Sequence, residues 1–290
     1  GNANFRRNYE PLLPGVFHLA APYPYRNPFN MDDPAAIAAA IARQFEDEIA
    51  FQGADTIAAF IMEPVLGAGG VIVPHESFMP LMREICDRHG ILLIADEVIT
   101  AFGRTGAWTG SRGWGVKPDM MTTAKAITNG YFPFGAVMIS DKVASVFEAN
   151  KNSLGAIGHG YTYSGHPVGA AAALATLKET ARANTAANAG ARGVELMAGL
   201  NQLKEKHELV GDVRGKGLMA ALELVSDREK KSAAAKTVVQ KVYDVAYEEG
   251  VMVRTSGANV IISPPLVITP ADVNRIVSAL DAGLSAAKGQ

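Results

Sequence analysis

Three charged side chains in apolar surroundings are the first candidates for chemistry in this sequence. Glu63 and Asp96 each follow an apolar run, TIAAFIM and ILLIA respectively, and Lys125 lies in MMTTAKAITNG with no acid close to it. A lysine among apolar residues is a candidate nucleophile that could form a Schiff base with an aldehyde. A buried carboxylate needs a permanent cationic partner, such as a protonated ring nitrogen. Structural ion pairs and a lysine whose ammonium reaches water produce the same pattern, so the residues alone leave both interpretations open.

The segments around these residues alternate between helical and strand patterns. DPAAIAAAIARQFEDEIAFQ predicts a helix that Asp33 caps and Pro34 begins, and HESFMPLMREICDRHG predicts a second helix that Gly90 ends. TIAAFIMEPV, ILLIADEV and FGAVMIS predict short strands, the second of them apolar on both faces. This order predicts an α/β fold with a mostly parallel sheet, in which ligands bind at the carboxyl ends of the strands. Glu63 and Asp96 both lie at such ends.

A change of composition near residue 180 indicates a domain boundary. The long helical segment SGHPVGAAAALATLKETARA precedes it, and Ala- and Lys-rich helical segments with two strand-like runs, LMAALELV and NVIISPPLV, follow it. We therefore predict a large domain over residues 1–180 and a small C-terminal α/β domain over residues 181–290.

Composition limits the classes of function. Of the 290 residues 48% are hydrophobic, enough for a sizeable core, and the formal net charge of −2 provides no basic surface for nucleic acid or an anionic membrane. The single cysteine, Cys86, cannot form an internal disulfide, and no apolar run is long enough to span a membrane. No cluster of His, Cys and Asp has metal-ligand spacing, so we predict no metal. We expect a cytoplasmic protein whose partners are small molecules or copies of itself.

Six motifs are specific enough in combination to indicate a family. They are EPVLGAGGV, LIADEVITAFGRTG, KPDMMTTAKAITNGYFPFGAV, HGYTYSGHPVGAAAALA, RGKGLMAALEL and ISPPLVIT, and they extend through nearly the whole chain. With these motifs the sequence resembles the class III aminotransferases, which are pyridoxal 5′-phosphate enzymes of fold type I. The resemblance implies that fold, that cofactor and a transamination reaction.

The resemblance also implies roles for the strand-end residues. Lys125 is implied to hold the cofactor as a Schiff base and, once released, to move a proton between the substrate Cα and the cofactor C4′. Asp96 is implied to pair with the ring nitrogen and keep it protonated, which the cofactor needs in order to act as an electron sink. Val98 packs on one face of the ring, and Glu63 belongs to the same cofactor site. Glu97 is expected to point to the opposite side of the strand end and to support the structure.

Residues outside this strand edge are implied to complete the site. In this family a threonine at the position of Thr162, in HGYTYSGHP, reaches the cofactor phosphate of the neighbouring subunit, and the adjacent Tyr161 is expected to contact substrate. The implied partner is therefore a second copy of the chain, in a homodimer or higher homo-oligomer with a shared active site. Arg254, in VMVRTSGANV, is implied to bind the carboxylate of an acid substrate.

Substrate preference is inferred from two positions in EPVLGAGG. Branches of the family that act on ornithine or γ-aminobutyrate carry a glutamine and a second acid where this sequence has Leu66 and Ala68. Without that acid Arg254 is free to bind a carboxylate, which favours transamination of an ω-amino acid or amine with pyruvate as acceptor. The alternatives are another class III reaction, namely that of a 2-oxoglutarate-dependent aminotransferase or an aminomutase, and an inactive, cofactor-free fragment.

The opening segment favours an incomplete chain. GNANFRRNYEPLLPGVFHLAAPYPYRNPFN lacks an initiator methionine and is typical of an irregular, proline-rich loop. The phosphate-binding loop of the family and the second aromatic residue that stacks on the ring lie upstream of anything in this sequence. We therefore expect that an N-terminal portion is missing and that this chain retains cofactor weakly or not at all.

Overall fold

Two sheets with flanking helices make up the structure, a computed structural model that describes residues 3–155 and 157–288. The first part of the chain contains α1 (Ala3–Arg6), α2 (Pro34–Gln52), β1 (Ala59–Met62), α3 (Phe78–His89), β2 (Leu92–Asp96), α4 (Gly110–Gly113), β3 (Met120–Thr123), β4 (Ala136–Ile139), α5 (Asp141–Leu154) and α6 (Pro167–Arg182). The second part contains α7 (Thr185–Lys206), β5 (Val210–Gly215), β6 (Ala220–Asp227), β7 (Ser232–Ala233), α8 (Lys236–Glu248), β8 (Arg254–Ser256), β9 (Asn259–Ile262) and α9 (Pro270–Ala286).

The local signals at the ends of α2 and α3 act as predicted. The Asp33 carboxylate accepts hydrogen bonds from the backbone N–H groups of Ala35 and Ala36, at 3.1 and 3.3 Å, and Pro34 is the first residue of α2. Gly90 ends α3 with a left-handed backbone (φ 71°), a conformation that costs glycine little. These caps fix where the chain enters and leaves the two helices that cover the first sheet.

The first sheet has the order β1-β2-β3-β4. β1, β2 and β3 are parallel, whereas β4 runs antiparallel to β3. The carboxyl ends of the three parallel strands therefore meet at one edge of the sheet. Glu63 follows β1, Asp96 ends β2, and Lys125 comes two residues after β3. The prediction of an α/β fold with a mostly parallel sheet is confirmed.

One face of the first sheet carries its core. Leu93 and Ala95 of β2 are fully buried in a hydrophobic cluster that α2 and α3 complete. The other face of β2 is less covered by the described residues. The alternate residues of β2 are only partly buried, and Ile61 of β1 is 61% exposed. The reason is that α2 and α3 both pack on the same face.

The second sheet is antiparallel and has its own core. Its order is β5-β6-β9-β8, and the short β7 pairs with β6. β6 lies between β5 and β9, and its first six residues are buried. Helices α7, α8 and α9 supply the opposing apolar side chains. This part of the chain corresponds to the small C-terminal α/β domain that the sequence predicts. Its boundary near residue 180 stays a prediction; α6 ends at Arg182.

We predict that Leu222→Ala in β6 lowers the free energy of unfolding by about 2–5 kcal/mol, because it leaves a cavity in a fully packed core. Leu222 has no exposed surface. Urea unfolding checks the prediction, with Val194→Ala as the control, because Val194 on α7 is 72% exposed. Equal losses in the two variants would contradict it.

Candidate active site

Lys125 lies in a strained stretch of backbone at the edge of the first sheet. It has a positive φ of 45°, which non-glycine residues adopt rarely, and it begins a one-turn 3₁₀ helix, Lys125–Ile127. Its side chain lines a cavity of about 1120 Å³. Val71, Phe102 and Asn129 line the same cavity and also have positive φ, at 56°, 61° and 49°. Backbone strain of this kind concentrates at functional sites, and it points to this cavity without reference to any motif.

Asp96 has one carboxylate oxygen held by the protein. Its Oδ1 accepts hydrogen bonds from the Val98 N–H at 3.1 Å and the Thr122 hydroxyl at 3.3 Å. Its Oδ2 accepts none from residues 3–155 or 157–288. The carboxylate is thus fixed in orientation, and one oxygen is left for a donor from outside the described chain.

Glu97 is an internal support, as predicted. It has no exposed surface, and its Oε1 accepts from the Ser111 N–H at 2.7 Å. Its Oε2 accepts from the Gly110 N–H at 2.8 Å and from the Thr100 hydroxyl at 2.5 Å. Because successive residues of an extended chain point to opposite sides, the two adjacent acids separate into one that faces the sheet edge and one that anchors α4.

Glu63 is a half-buried carboxyl group beside these residues. Burial raises its pKa, the Gly67 N–H that donates to Oε2 at 2.8 Å lowers it, and the charge of Asp96 raises it further. Lys125 is also close enough to lower that pKa. The net effect is a raised pKa for Glu63. Because the charges of Asp96 and Lys125 both act on this pKa, the three residues that the sequence placed at strand ends lie close together.

Arg254 reaches the same cavity from the second part of the chain. It is the first residue of β8, lies opposite Ile261 of β9, and lines the cavity together with Lys125. Its side chain is exposed. Within the described part of the chain, no side chain or carbonyl forms a hydrogen bond or ion pair with its guanidinium group. The tertiary structure therefore unites a lysine and an uncommitted arginine that lie far apart in the sequence.

Arg104 is a cavity residue that the sequence analysis did not select. Its Nη1 donates to the carbonyl oxygens of Leu218, at 2.9 Å, and Pro264, at 2.6 Å, and burial lowers its pKa to about 10. No carboxylate of the described residues pairs with it. Its position in the motif AFGRTG was visible, but nothing in the motif showed that the side chain would meet the second part of the chain.

Tyr161 and Thr162 lie elsewhere. Both are exposed in the loop between α5 and α6, and neither lines the cavity. Within the single chain they do not share the cavity with Lys125. This is consistent with the predicted role of Thr162 toward a neighbouring subunit. Their roles stay predictions.

The chain is similar to known proteins over most of its length. The family model for class III aminotransferases matches residues 1–284 of the chain. The chain belongs to the class III aminotransferase family. A putrescine–pyruvate aminotransferase of Pseudomonas aeruginosa is 40% identical over 275 residues, which are 92% of this chain and 58% of that protein. A diaminobutyrate–2-oxoglutarate transaminase of Halomonas elongata is 36% identical over 280 residues, 94% of this chain and 60% of that protein.

A solved structure agrees with the fold. The amine transaminase of an uncultivated Pseudomonas species, in its form with pyridoxal phosphate bound, superimposes with a TM-score of 0.94 at 48% identity, over 98% of this chain and 65% of that one. The family, fold type I and pyridoxal 5′-phosphate as the family cofactor are thereby confirmed. The chain spans less than two thirds of the length of each of these relatives.

Two kinds of feature are absent from the described part of the chain. No helix within 3–155 or 157–288 is long and apolar enough to cross a membrane. In the same ranges, no group of three or more His, Cys, Asp and Glu side chains could hold a metal ion.

We predict different effects on stability from two matched substitutions of adjacent acids. Glu97→Gln should lower the free energy of unfolding by about 2 kcal/mol, because an amide NH₂ would face buried N–H donors. Asp96→Asn should change it by less than about 1 kcal/mol, because the Asn Oδ1 still accepts from Val98 and Thr122. Urea unfolding measures both, and a larger loss for Asp96→Asn would refute the division of roles.

Proposed function

We propose that this protein catalyses the pyridoxal-phosphate-dependent transfer of an amino group from an ω-amino acid or amine to pyruvate. The observation that carries the proposal is that Lys125 and Arg254 line one cavity. Asp96 and Glu63 lie at the strand ends beside Lys125. A nucleophilic amine, a fixed carboxylate and an uncommitted guanidinium group are the parts that such a reaction uses.

The residues at the sheet edge fit the cofactor. Asp96 Oδ2 has no donor among the described residues, which suits a carboxylate that accepts a hydrogen bond from a protonated ring nitrogen. Val98 is partly buried, and its backbone N–H donates to the other oxygen of Asp96. Its side chain would pack on one face of the ring. Glu63, with its raised pKa, would complete the same side of the site.

Lys125 has two tasks in this proposal. It would hold the cofactor through Nζ, and when released it would take a proton from the substrate Cα as base and deliver it to C4′ of the cofactor as acid. Pyridoxal phosphate, when bound, supplies the electron sink that weakens the Cα–H bond. Asp96 would keep the ring nitrogen protonated, because a fixed negative charge beside that nitrogen favours its protonated form.

Arg254 would bind the carboxylate of the acceptor. Its guanidinium group is exposed and uncommitted, and a planar fork of donors matches a carboxylate in two-point fashion. Leu66 and Ala68, which replace a glutamine and an acid of other branches, leave it without a competing carboxylate at those positions. The relatives transfer to different acceptors, pyruvate in one and 2-oxoglutarate in another, so a 2-oxoglutarate-dependent reaction is the second candidate.

The remaining assignments belong to the same proposal. Thr162 would contact the cofactor phosphate of a neighbouring subunit, Tyr161 would contact substrate, and the protein would act as a homodimer or higher homo-oligomer. The exposure of both residues supports a role at a subunit interface. A cytoplasmic location also stays a prediction.

Borohydride reduction tests the attachment site. After incubation of the purified protein with pyridoxal phosphate, reduction should fix the cofactor to Lys125, which peptide mass mapping would locate. Lys125→Arg should abolish the adduct, whereas Lys117→Arg, at an exposed lysine outside the cavity, should retain it. An adduct mapped to another lysine would refute the assignment.

Half-reaction kinetics test the role of Arg254. Arg254→Ala should reduce kcat/KM for pyruvate and for carboxylate-bearing donors by roughly ten- to a hundredfold, because hydrogen bonds to a charged group are lost. A donor without a carboxylate, such as 1-phenylethylamine, should react nearly as before. Arg112→Ala, at an exposed arginine outside the cavity, is the matched control.

Three outcomes of these assays decide between the candidate functions. Equal losses for both classes of donor would mean that Arg254 has only a structural role, against the proposal. Turnover with 2-oxoglutarate and none with pyruvate would favour the second candidate. Absence of any amino transfer by protein that carries cofactor on Lys125 would point instead to another class III reaction, such as that of an aminomutase.

A further inference from the structure

The charged residues that line the large cavity are unbalanced. They are Arg104, Lys125, Glu179 and Arg254. Glu179, the one acid among the described residues that line the cavity, already pairs with Arg182 at 2.5 Å. Lys125 and Arg254 have places in the proposed reaction, whereas Arg104 has none. The described residues therefore give this cavity an excess of positive charge, which favours anionic ligands.

Arg104 is an uncompensated cation in the cavity wall. Its Nη1 donates to two carbonyl oxygens, those of Leu218 and Pro264, which satisfy hydrogen bonds but do not neutralise the charge. Its Nε and Nη2 form no hydrogen bond with any described residue. A partly buried guanidinium group without a counter-charge is costly, and a bound anion would remove that cost.

The N-terminus of α7 lies against the loop that carries Arg104. A Cβ placed on Gly103 would come within 3.2 Å of the Thr185 Oγ1 and 3.3 Å of the Ala186 N. α7 is 22 residues long, and its N-cap, Asn184, provides no side-chain hydrogen bond. The backbone N–H groups of residues 185–187 donate to no acceptor in the described chain. The positive end of a long helix is therefore left open beside Arg104.

Thr185 is a second, independent sign of a ligand. It lines the cavity and is only 7% exposed, yet its hydroxyl group has no hydrogen-bond partner among the described residues. Buried hydroxyl groups without a partner are rare, because each loses its hydrogen bonds to water on folding.

We propose that Arg104, Thr185 and the N-terminus of α7 form a binding site for a short-chain aliphatic carboxylate, separate from the one at Arg254. A carboxylate matches the two free nitrogens of a guanidinium fork and suits a helix N-terminus. Phe102, Ala183 and Leu266 line the same cavity and would contact the aliphatic chain. This site does not depend on the proposed transamination, since none of its residues takes part in that reaction.

Propionate is the probe for this site, and its uncharged isostere propionamide is the control ligand. The measurement is the dissociation constant of propionate from NMR line broadening, in chain carrying Arg254→Gln so that the other carboxylate site does not contribute. Propionate should bind and propionamide should not. Thr185→Val should weaken propionate binding about tenfold or more, because a hydrogen bond to a charged group is lost.

Thr105→Val is the matched control for Thr185→Val. Thr105 is also buried, at 5% exposure, and its hydroxyl group has no partner in the described part of the chain, but Thr105 does not line the cavity. It should leave propionate binding unchanged. Arg104→Lys keeps the charge but removes the fork and should also weaken binding at least tenfold.

The results separate this proposal from the others. No propionate binding in the Arg254→Gln chain, or equal binding in Thr185→Val and Thr105→Val, would overturn it without affecting the roles of Lys125 and Arg254. If Arg104→Lys fails to fold, Thr185→Val still tests the proposal, because the hydroxyl group it removes makes no hydrogen bond with the described residues.

Discussion

The parallel alignment of β1, β2 and β3 is the constraint on which the site depends. It brings the residues that follow three separate strands to one edge of the sheet: Glu63, Asp96 and Lys125. Each strand arrives there because a helix or loop returns the chain to the opposite end, and α2 and α3 fix two neighbouring strands by packing on one face. A shift of one residue in any strand would turn its terminal side chain to the other face.

The support of this edge extends outward from Glu97. Its carboxylate holds the backbone N–H groups that begin α4, and Trp114, directly after α4, donates from Nε1 to the Pro64 carbonyl at 2.9 Å. That carbonyl belongs to the residue after Glu63. Glu97 therefore stabilises, through α4, the end of the neighbouring strand β1. Asp96 faces the sheet edge instead, so the two adjacent carboxylates have different surroundings.

The cavity exists because the two parts of the chain close against each other. Val65 and Val71 from the first part pack with Met219, Ala221 and Ile261 from the second in one hydrophobic cluster. Polar contacts reinforce the junction. The Arg214 Nε donates to the Gly70 carbonyl at 2.9 Å. Arg104 and Leu218 form two hydrogen bonds: the Arg104 side chain donates to the Leu218 carbonyl, and the Leu218 N–H donates to the Arg104 carbonyl at 3.0 Å. The position of Arg254 relative to Lys125 is thus a property of this junction.

The sequence by itself determined the features that depend on neighbouring residues. The caps at Asp33 and Gly90, the apolar strands and the strand–helix–strand order are local patterns, and they were sufficient to predict the mostly parallel sheet and the acids at its edge. The motifs were sufficient for the family.

Only the tertiary structure decided which distant residues share the cavity, that Arg104 has no counter-charge among the described residues, and that Tyr161 and Thr162 do not line it. The physical reason is that local periodicity and capping act within a few residues, whereas the cavity is set by packing between segments remote in the chain. The left-handed backbone at Lys125 belongs to the same class, since a strained conformation is maintained only by the structure that surrounds it.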